Sequence, residues 1–491
     1  MNYITPEKAG ISSKQIEKYI KILEKRRLST HDLIMMKGND IFFEKYWEPF
    51  DKDFMHRMYS VSKSFVSIAM GFLEQDGLVN LDDEIQKYFP EETKDCTVEG
   101  LKTQTVRDML RMSTTRVEGY HFTAKPEDRV KYYFQNEGYT ERPSNTIFNY
   151  DSSGSFVLGA LVERQSGMEL MEYLRVKLFD KIGVSEGAYC LKSPGGHAWS
   201  DSAVVCKPTD LLKVARFTMN KGTWNGERLL NEDYLTLATT KQLDNNVRGW
   251  YNFNTQGYGY LFWMLYDGAY MFNGMGDQLA ICVPKKDLIM IYNADNQGKD
   301  YSRALVVDLF FDLIVDEMAD GPIEENEADL KALEEYTKTL KLAVAIGEKD
   351  NDLKEKINGV TYQINENPMG ITQIKLTFDE NGGVFAYTNA QGDKEIEFGM
   401  CENRYGIFPQ TGYSDMFSST PAPGNMYKCA TSAAWVDANK IFIKVQIIDK
   451  YFGNLNITLG FKDDEIGVCM IKTAEDFLHE YEGFAGGRAI K

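Results

Sequence analysis

The chain has 491 residues, 43% of them hydrophobic and 26% charged, with a formal net charge of −18. That length is too great for one ordinary core and predicts roughly two or three domains of a folded protein. The acidity keeps such a chain soluble and repels phosphate backbones and anionic membrane surfaces, which argues against nucleic acid and membrane as partners.

The opening "MNYITPEKAG" has neither the basic start nor the apolar run of a secretory signal, and no apolar stretch approaches the length that spans a bilayer. Seven cysteines lie scattered at 96, 190, 206, 282, 401, 429 and 469 with no CxxC pair. An odd, dispersed set fits reduced thiols in a cytoplasmic protein better than a disulfide framework. The five histidines are far apart and form no HExxH, so no metal is expected.

In chain order, "SSKQIEKYIKILEKRR" predicts a first helix capped by Ser12, with Gln15 at the reciprocal capping-box position. The runs "DLIMMKG" and "IFFEKYWEPF", joined by "KGND", predict a β-hairpin. "MYSVSKSFVSIAMGFLEQDG" reads as a helix closed by Gly77. A helical lobe follows over about 78–235, including "TVRDMLRM", "SGSFVLGALVERQSG", "MEYLRVKLF" and "PTDLLKVARFTMNKG". Strands return at "YGYLFWML", "DQLAICVP" and "DLIMIYNAD", and "SRALVVDLFFDLIVDEM" is a closing helix. Short turns between these strands imply antiparallel pairing, so one sheet layer draws on both ends of residues 1–320 with the helical lobe inserted between them. Residues 321–354 are charged, helical in pattern and read as a linker. Residues 355–491 alternate in "IKLTFDENGGVFAYTN", "KIFIKVQIID" and "LNITLGF", which predicts a second, β-rich domain, a barrel or sandwich filled by Trp435, Phe442 and Ile443.

Ser60 and Lys63 stand three apart in the helical segment, hence on one face. A serine hydroxyl attacks only with a base in hydrogen-bond reach, and a lysine is a base only when neutral, a form that burial favours. The helix N-terminus also offers free N–H groups to an oxyanion formed there. S-x-x-K arises by chance about once or twice in such a chain. The motif alone therefore leaves open a capping serine followed by a solvated lysine.

The surroundings add to it. "MYSVSKSF" resembles the active-site serine stretch of the serine hydrolases related to class C β-lactamases and penicillin-binding carboxypeptidases. "TPEKAGISS", "GLVNLDDEIQKYFPE", "TVRDMLRMSTT", "PSNTIFNYDSSGSFVLGALVERQSGMELMEYLRVKLFDKIGV", "PTDLLKVARF" and "DQLAICVPKKDLIMIYN" are similar to further stretches of that family, in the right order, over roughly residues 1–315. The C-terminal part, with "HEYEGFAGG" near its end, is similar to the lipocalin-like domain appended to many such hydrolases.

The resemblance implies an α+β fold of the β-lactamase/transpeptidase type, an antiparallel sheet flanked by helices plus an all-helical lobe, followed by a small lipocalin-like barrel. It implies Ser60 as nucleophile, with Lys63 and Tyr150 moving protons. In "FNYDSSG", Ser152 replaces the family's usual asparagine; a hydroxyl is shorter and donates only one hydrogen bond. In "YMFNGMGDQ", Phe272-Asn273-Gly274 aligns with a motif that usually begins with a cation. Gly274 keeps the glycine that admits a substrate to the backbone, and the Met275 N–H is the expected second oxyanion donor. Phe272 carries no charge, which argues against recognition of a β-lactam or C-terminal carboxylate. His121 and His197 sit in loops of the helical lobe and either border the pocket or are simply solvated, and Tyr258, Tyr260 and Trp263 either line an acyl site or are covered strand residues. The expected activity is hydrolysis of a small ester or amide through an acyl-enzyme, with no cofactor. β-Lactamase or D-amino-acid peptidase activity, or a catalytically weak binding protein on the same fold, are the alternatives, and the oligomeric state is open.

Overall fold

The computed structural model describes residues 2–116, 126–135, 142–246, 252–417, 420–474 and 481–490. It divides into two units. The first takes in Met1–Asn296, Asp300–Lys341 and Asp415–Ser418; the second takes in Gln297–Lys299, Leu342–Ser414 and Ser419–Lys491.

In the first unit, β1 (Asn2–Tyr3), β2 (Thr30–Lys37), β3 (Asp40–Tyr46), β4 (Trp263–Met264), β5 (Tyr270–Gly274), β6 (Gln278–Val283) and β7 (Leu288–Ala294) form one sheet in the order β1-β3-β2-β7-β6-β5-β4. The hairpin of β2 and β3 forms as its sequence predicts, and β7 pairs antiparallel with β2, Ile291 opposite Ile34. The two ends of the unit thus meet mid-sheet. β1 alone lies parallel to its neighbour. β2 and β7 are buried along almost their whole length because both faces are covered, which is why they read as unbroken apolar runs rather than alternating ones.

The helices Ser13–Lys25 and Ser302–Phe310 bury Ile16, Tyr19, Ile20, Leu23, Val306 and Phe310 against Leu33, Met35, Leu279, Ile281 and Met290 of the sheet. Ser12 caps the first of them, accepting from the Gln15 N–H at 3.3 Å. The segment read as a linker contributes the helix Glu327–Thr337 to this unit, with Leu333 and Leu340 in the same core. The opposite sheet face meets the helix Pro208–Met219, where Thr218 Oγ1 and the Tyr270 hydroxyl lie 2.9 Å apart.

The helix Ser62–Gln75 is buried from Ser62 to Leu73, so it runs through the interior and packs on the helix Ser152–Ser166. "YGYLFWML" departs from its expected strand: only Trp263 and Met264 are strand, while Tyr258 and Tyr260 are core residues, each 1% exposed. Leu261 at φ 62 breaks the extended run between Tyr260 and Trp263.

The second unit is a closed barrel. Its strands are β8 (Thr361–Ile364), β9 (Gln373–Phe378), β10 (Gly382–Asn389), β11 (Gly392–Met400), β12 (Arg404–Tyr413), β13 (Pro421–Asp437), β14 (Lys440–Ile448), β15 (Phe452–Lys462), β16 (Glu465–Ala474) and β17 (Gly483–Ala489). Nine of these ten close on themselves through a short parallel seam of β11 and β13, Gly399 opposite Ser432, and β12 is added outside on β13. Closure removes the exposed edges an open sheet would carry. Alternate residues of β14 and β15, among them Ile441, Ile443, Val445, Leu455, Ile457 and Leu459, fill the interior with Trp435. Phe442 falls on the other face and is only half-buried, because the strand period of two puts it opposite Ile441 and Ile443.

Among the described residues no helix is long and apolar enough to cross a membrane.

Candidate active site

Ser60 does not begin the long helix, as its sequence suggests. It sits in a 3₁₀ turn, Tyr59–Val61, and the helix starts at Ser62. Neither start carries a side-chain cap, so Ser60 is not spent on capping. The preceding residue, Tyr59, has φ 46, a conformation strained for a bulky side chain. Its surroundings hold it there. The Arg57 guanidinium lies 4.4 Å from the Tyr59 ring centroid and 4.4 Å from that of Trp199. The Met58 N–H donates to Val204 O at 2.7 Å, and the Val204 N–H donates to Ser62 Oγ at 2.9 Å.

One turn on, the Lys63 amine lies 3.0 Å from Ser60 Oγ and donates to the Asp201 carbonyl at 2.7 Å. Lys63 is 2% exposed, and Ser60 is more open. The amine stands over the Tyr150 ring, 5.0 Å from its centroid. Tyr150 stacks on Trp263 at 5.7 Å. Three side chains from two distant stretches thus converge on one point.

Asp151 anchors Tyr150 from behind. It caps the helix Ser152–Ser166 through the Gly154 N–H, 2.9 Å from its Oδ1, and its Oδ2 accepts from Thr114 Oγ1 at 3.0 Å. Ser152 is the first residue of that helix, and its carbonyl accepts from the Ser155 hydroxyl at 2.8 Å. Its own hydroxyl makes no hydrogen bond among the described residues.

Gly274 ends β5 against the Ser60 turn. A Cβ there would stand 2.4 Å from the Met58 carbonyl, so only glycine allows this approach. Asn273 and Phe272 are buried. The Phe272 ring packs edge-on to Phe262 with centroids 4.9 Å apart. Met275 follows at the tip of the turn, partly exposed.

His197 is engaged with Glu163. Its Nδ1 pairs with Glu163 Oε2 at 2.6 Å, and that hydrogen bond raises the imidazole pKa above its usual 6.5. Its loop matters instead through the Asp201 carbonyl. His121 lies outside the described residues. Sequence reading missed Asp201, since a backbone acceptor has no residue signature, and passed over Asp151 in favour of its neighbour Ser152. It also missed that His31 and His56, with Nδ1 of the first 3.3 Å from Nε2 of the second, are buried side by side next to Asp32. Among the described residues no group of three or more His, Cys, Asp or Glu is placed to hold a metal ion.

A buried lysine beside a serine at the start of a helix, on a sheet-and-helical-lobe fold, defines the class of the serine β-lactamase-like proteins. The family model for β-lactamase matches residues 19–308, and the chain belongs to that family. The 6-aminohexanoate-dimer hydrolase of Paenarthrobacter ureafaciens is 25% identical over 224 residues, which is 42% of this chain; the chain spans 56% of that relative's length. Among solved structures, the octameric penicillin-binding protein homologue of Pyrococcus abyssi aligns over 96% of this chain and 99% of its own, at TM-score 0.50 and 13% identity. SurE bound to D-Leu aligns over 97% and 99% at TM-score 0.51 and 15% identity. EstCE1, a hydrolase with promiscuous acyltransferase activity, aligns over 61% and 99% at TM-score 0.51 and 12% identity.

Proposed function

We propose that this chain is a serine hydrolase of small esters or amides that works through an acyl-enzyme on Ser60. The observation that carries this reading is the 3.0 Å separation of Lys63 Nζ and Ser60 Oγ, with the Tyr150 ring against the same amine. That distance is within reach for proton transfer. Lys63, with Tyr150, takes the Ser60 proton as the oxygen attacks the carbonyl. The N–H groups of Ser60 and Met275 hold the oxyanion, the proton passes to the departing alcohol or amine, and water then releases the acyl group. Gly274 admits the substrate to the backbone, and Asn273 and Ser152 border its binding site. No step calls for a cofactor.

One relative's name favours this substrate class, that of a 6-aminohexanoate-dimer hydrolase. The buried, uncharged Phe272 speaks against β-lactam or C-terminal carboxylate recognition. Seven cysteines without a disulfide favour a reducing, cytoplasmic setting.

The test is labelling with a fluorophosphonate and turnover of a short-chain p-nitrophenyl ester by wild type and Ser60→Ala. Labelling at Ser60 and turnover lost in the variant are expected. Equal behaviour of the two proteins would make the chain a binding protein on a hydrolase fold.

A further inference from the structure

The turn that follows β5 is held more firmly than a hairpin needs. Gly274 to Asp277 closes through the Asp277 N–H, which donates to Gly274 O at 3.2 Å, with Gly276 at φ 73 as a type II turn requires. The turn's first three carbonyls are all engaged, and Gly274 O carries a second hydrogen bond besides the turn's own. Gly274 O accepts from Arg303 Nη2 at 3.0 Å, Met275 O from Gln278 Nε2 at 3.1 Å, and Gly276 O from the Asn296 N–H at 3.1 Å. Asp277 is 2% exposed, its carboxylate shared by Arg303 Nε at 3.1 Å, Asn296 Nδ2 at 3.1 Å and Ser302 Oγ at 2.5 Å. Arg303 therefore bridges both ends of the turn from the start of the helix Ser302–Phe310.

The chemistry lies in which carbonyl it takes. Gly274 C=O and Met275 N–H belong to one peptide unit. A cation hydrogen-bonded to the oxygen draws electron density from the nitrogen and makes the N–H a stronger donor, since hydrogen bonds in series polarise one another.

We propose that Arg303 is a positioning residue for the hydrolytic reaction: its guanidinium, anchored by Asp277, fixes the Gly274–Met275 peptide and sharpens the Met275 N–H as an oxyanion donor. This rests on the acyl-enzyme reading above. The peptide is set before substrate arrives, so no reorganisation is needed when charge develops.

The experiment compares full-length wild type, Arg303→Gln and Lys286→Met. Lys286→Met removes a cation-to-carbonyl bond of the same kind, Lys286 Nζ to Met318 O at 2.9 Å, beyond the far end of β6. Thermal melting establishes folding, and p-nitrophenyl acetate hydrolysis gives kcat and KM. Loss of a whole oxyanion donor costs about 100- to 1,000-fold in kcat, so a weakened one is expected to cost about 10- to 100-fold, with KM within about threefold. Lys286→Met is expected to match wild type in both. Should Arg303→Gln fail to fold, Arg303→Lys replaces it, with about a 3- to 10-fold fall in kcat expected from a cation that keeps the carbonyl and loses the fork on Asp277. A folded Arg303 variant with wild-type kcat, or a loss carried wholly by KM, overturns the proposal. Fluorophosphonate labelling separates the two ideas. Wild type unlabelled at Ser60 and inactive overturns the hydrolase reading and this proposal with it; wild type and Arg303 variant labelled at equal rates overturns this proposal alone.

Discussion

The amine of Lys63 is closer to the carbonyl of Asp201, at 2.7 Å, than to the hydroxyl of Ser60, at 3.0 Å. A backbone acceptor from a loop 138 positions along the chain thus fixes where the amine stands. The long, flexible lysine side chain would otherwise sample several rotamers, and proton transfer depends on its being held.

Lys63→Ala is expected to lower ester turnover about 100- to 10,000-fold, the range of one positioned proton-transfer group, with substrate affinity little changed. Steady-state kinetics with a p-nitrophenyl ester reads this. A fall of less than tenfold would assign the proton to another group.

Tyr150→Phe keeps the ring stacked on Trp263 and removes only the hydroxyl. It is expected to cost turnover about 100-fold or more if that oxygen carries a proton. Trp263→Ala removes the stack and leaves the hydroxyl. The aromatic contact is worth about 0.5–1.5 kcal/mol, so about a threefold to tenfold fall is expected from a less well-held Tyr150. The same order of effects in both variants would make Tyr150 a packing residue.

The pair of His197 and Glu163 sets a pH dependence of stability. The folded imidazole pKa is raised above 6.5, so the pair's contribution is fully present below about pH 6.5 and is lost as pH rises through the folded value. Melting temperature followed from pH 6 to 9, as about unit steps, is expected to fall in wild type relative to His197→Gln. Parallel curves for the two proteins would show that the imidazole is not bound to Glu163 in its charged form.

In the barrel, Ile457 is fully buried and Phe484 is 75% exposed. Ile457→Ala is expected to destabilise the second unit by about 2–5 kcal/mol through a cavity, and Phe484→Ser to change it by about 0.5 kcal/mol or less. Denaturant melts of the full chain test the contrast.

Much of this architecture is local in origin, and that part was legible in the residues. Ser12 caps where it should, β2 and β3 pair across "KGND", and alternation in β14 and β15 predicts a β-rich unit whose inward residues do fill it. As candidates, Ser60 and Lys63 came from their spacing together with the family resemblance, and Tyr150 from the resemblance only, since nothing local separates one tyrosine of 28 from another. Legibility failed where a long-range contact overrode the local pattern. "YGYLFWML" has strand composition, yet the burial of Tyr258 and Tyr260 and the positive φ at Leu261 leave it mostly irregular.

The sequence by itself determined the residue types and short spacings: a serine three before a lysine on a helical pattern, a glycine after Asn273, an uncharged Phe272, alternating strands in the last third. Only the tertiary structure decided that the serine sits in a strained turn beside Tyr59, that Asp201 lends its carbonyl to the lysine, and that Arg303 grips the peptide before Met275. The reason is physical. Side-chain chemistry and period are properties of neighbours in the chain, whereas backbone acceptors and the approach of one turn to another exist only once distant segments have packed.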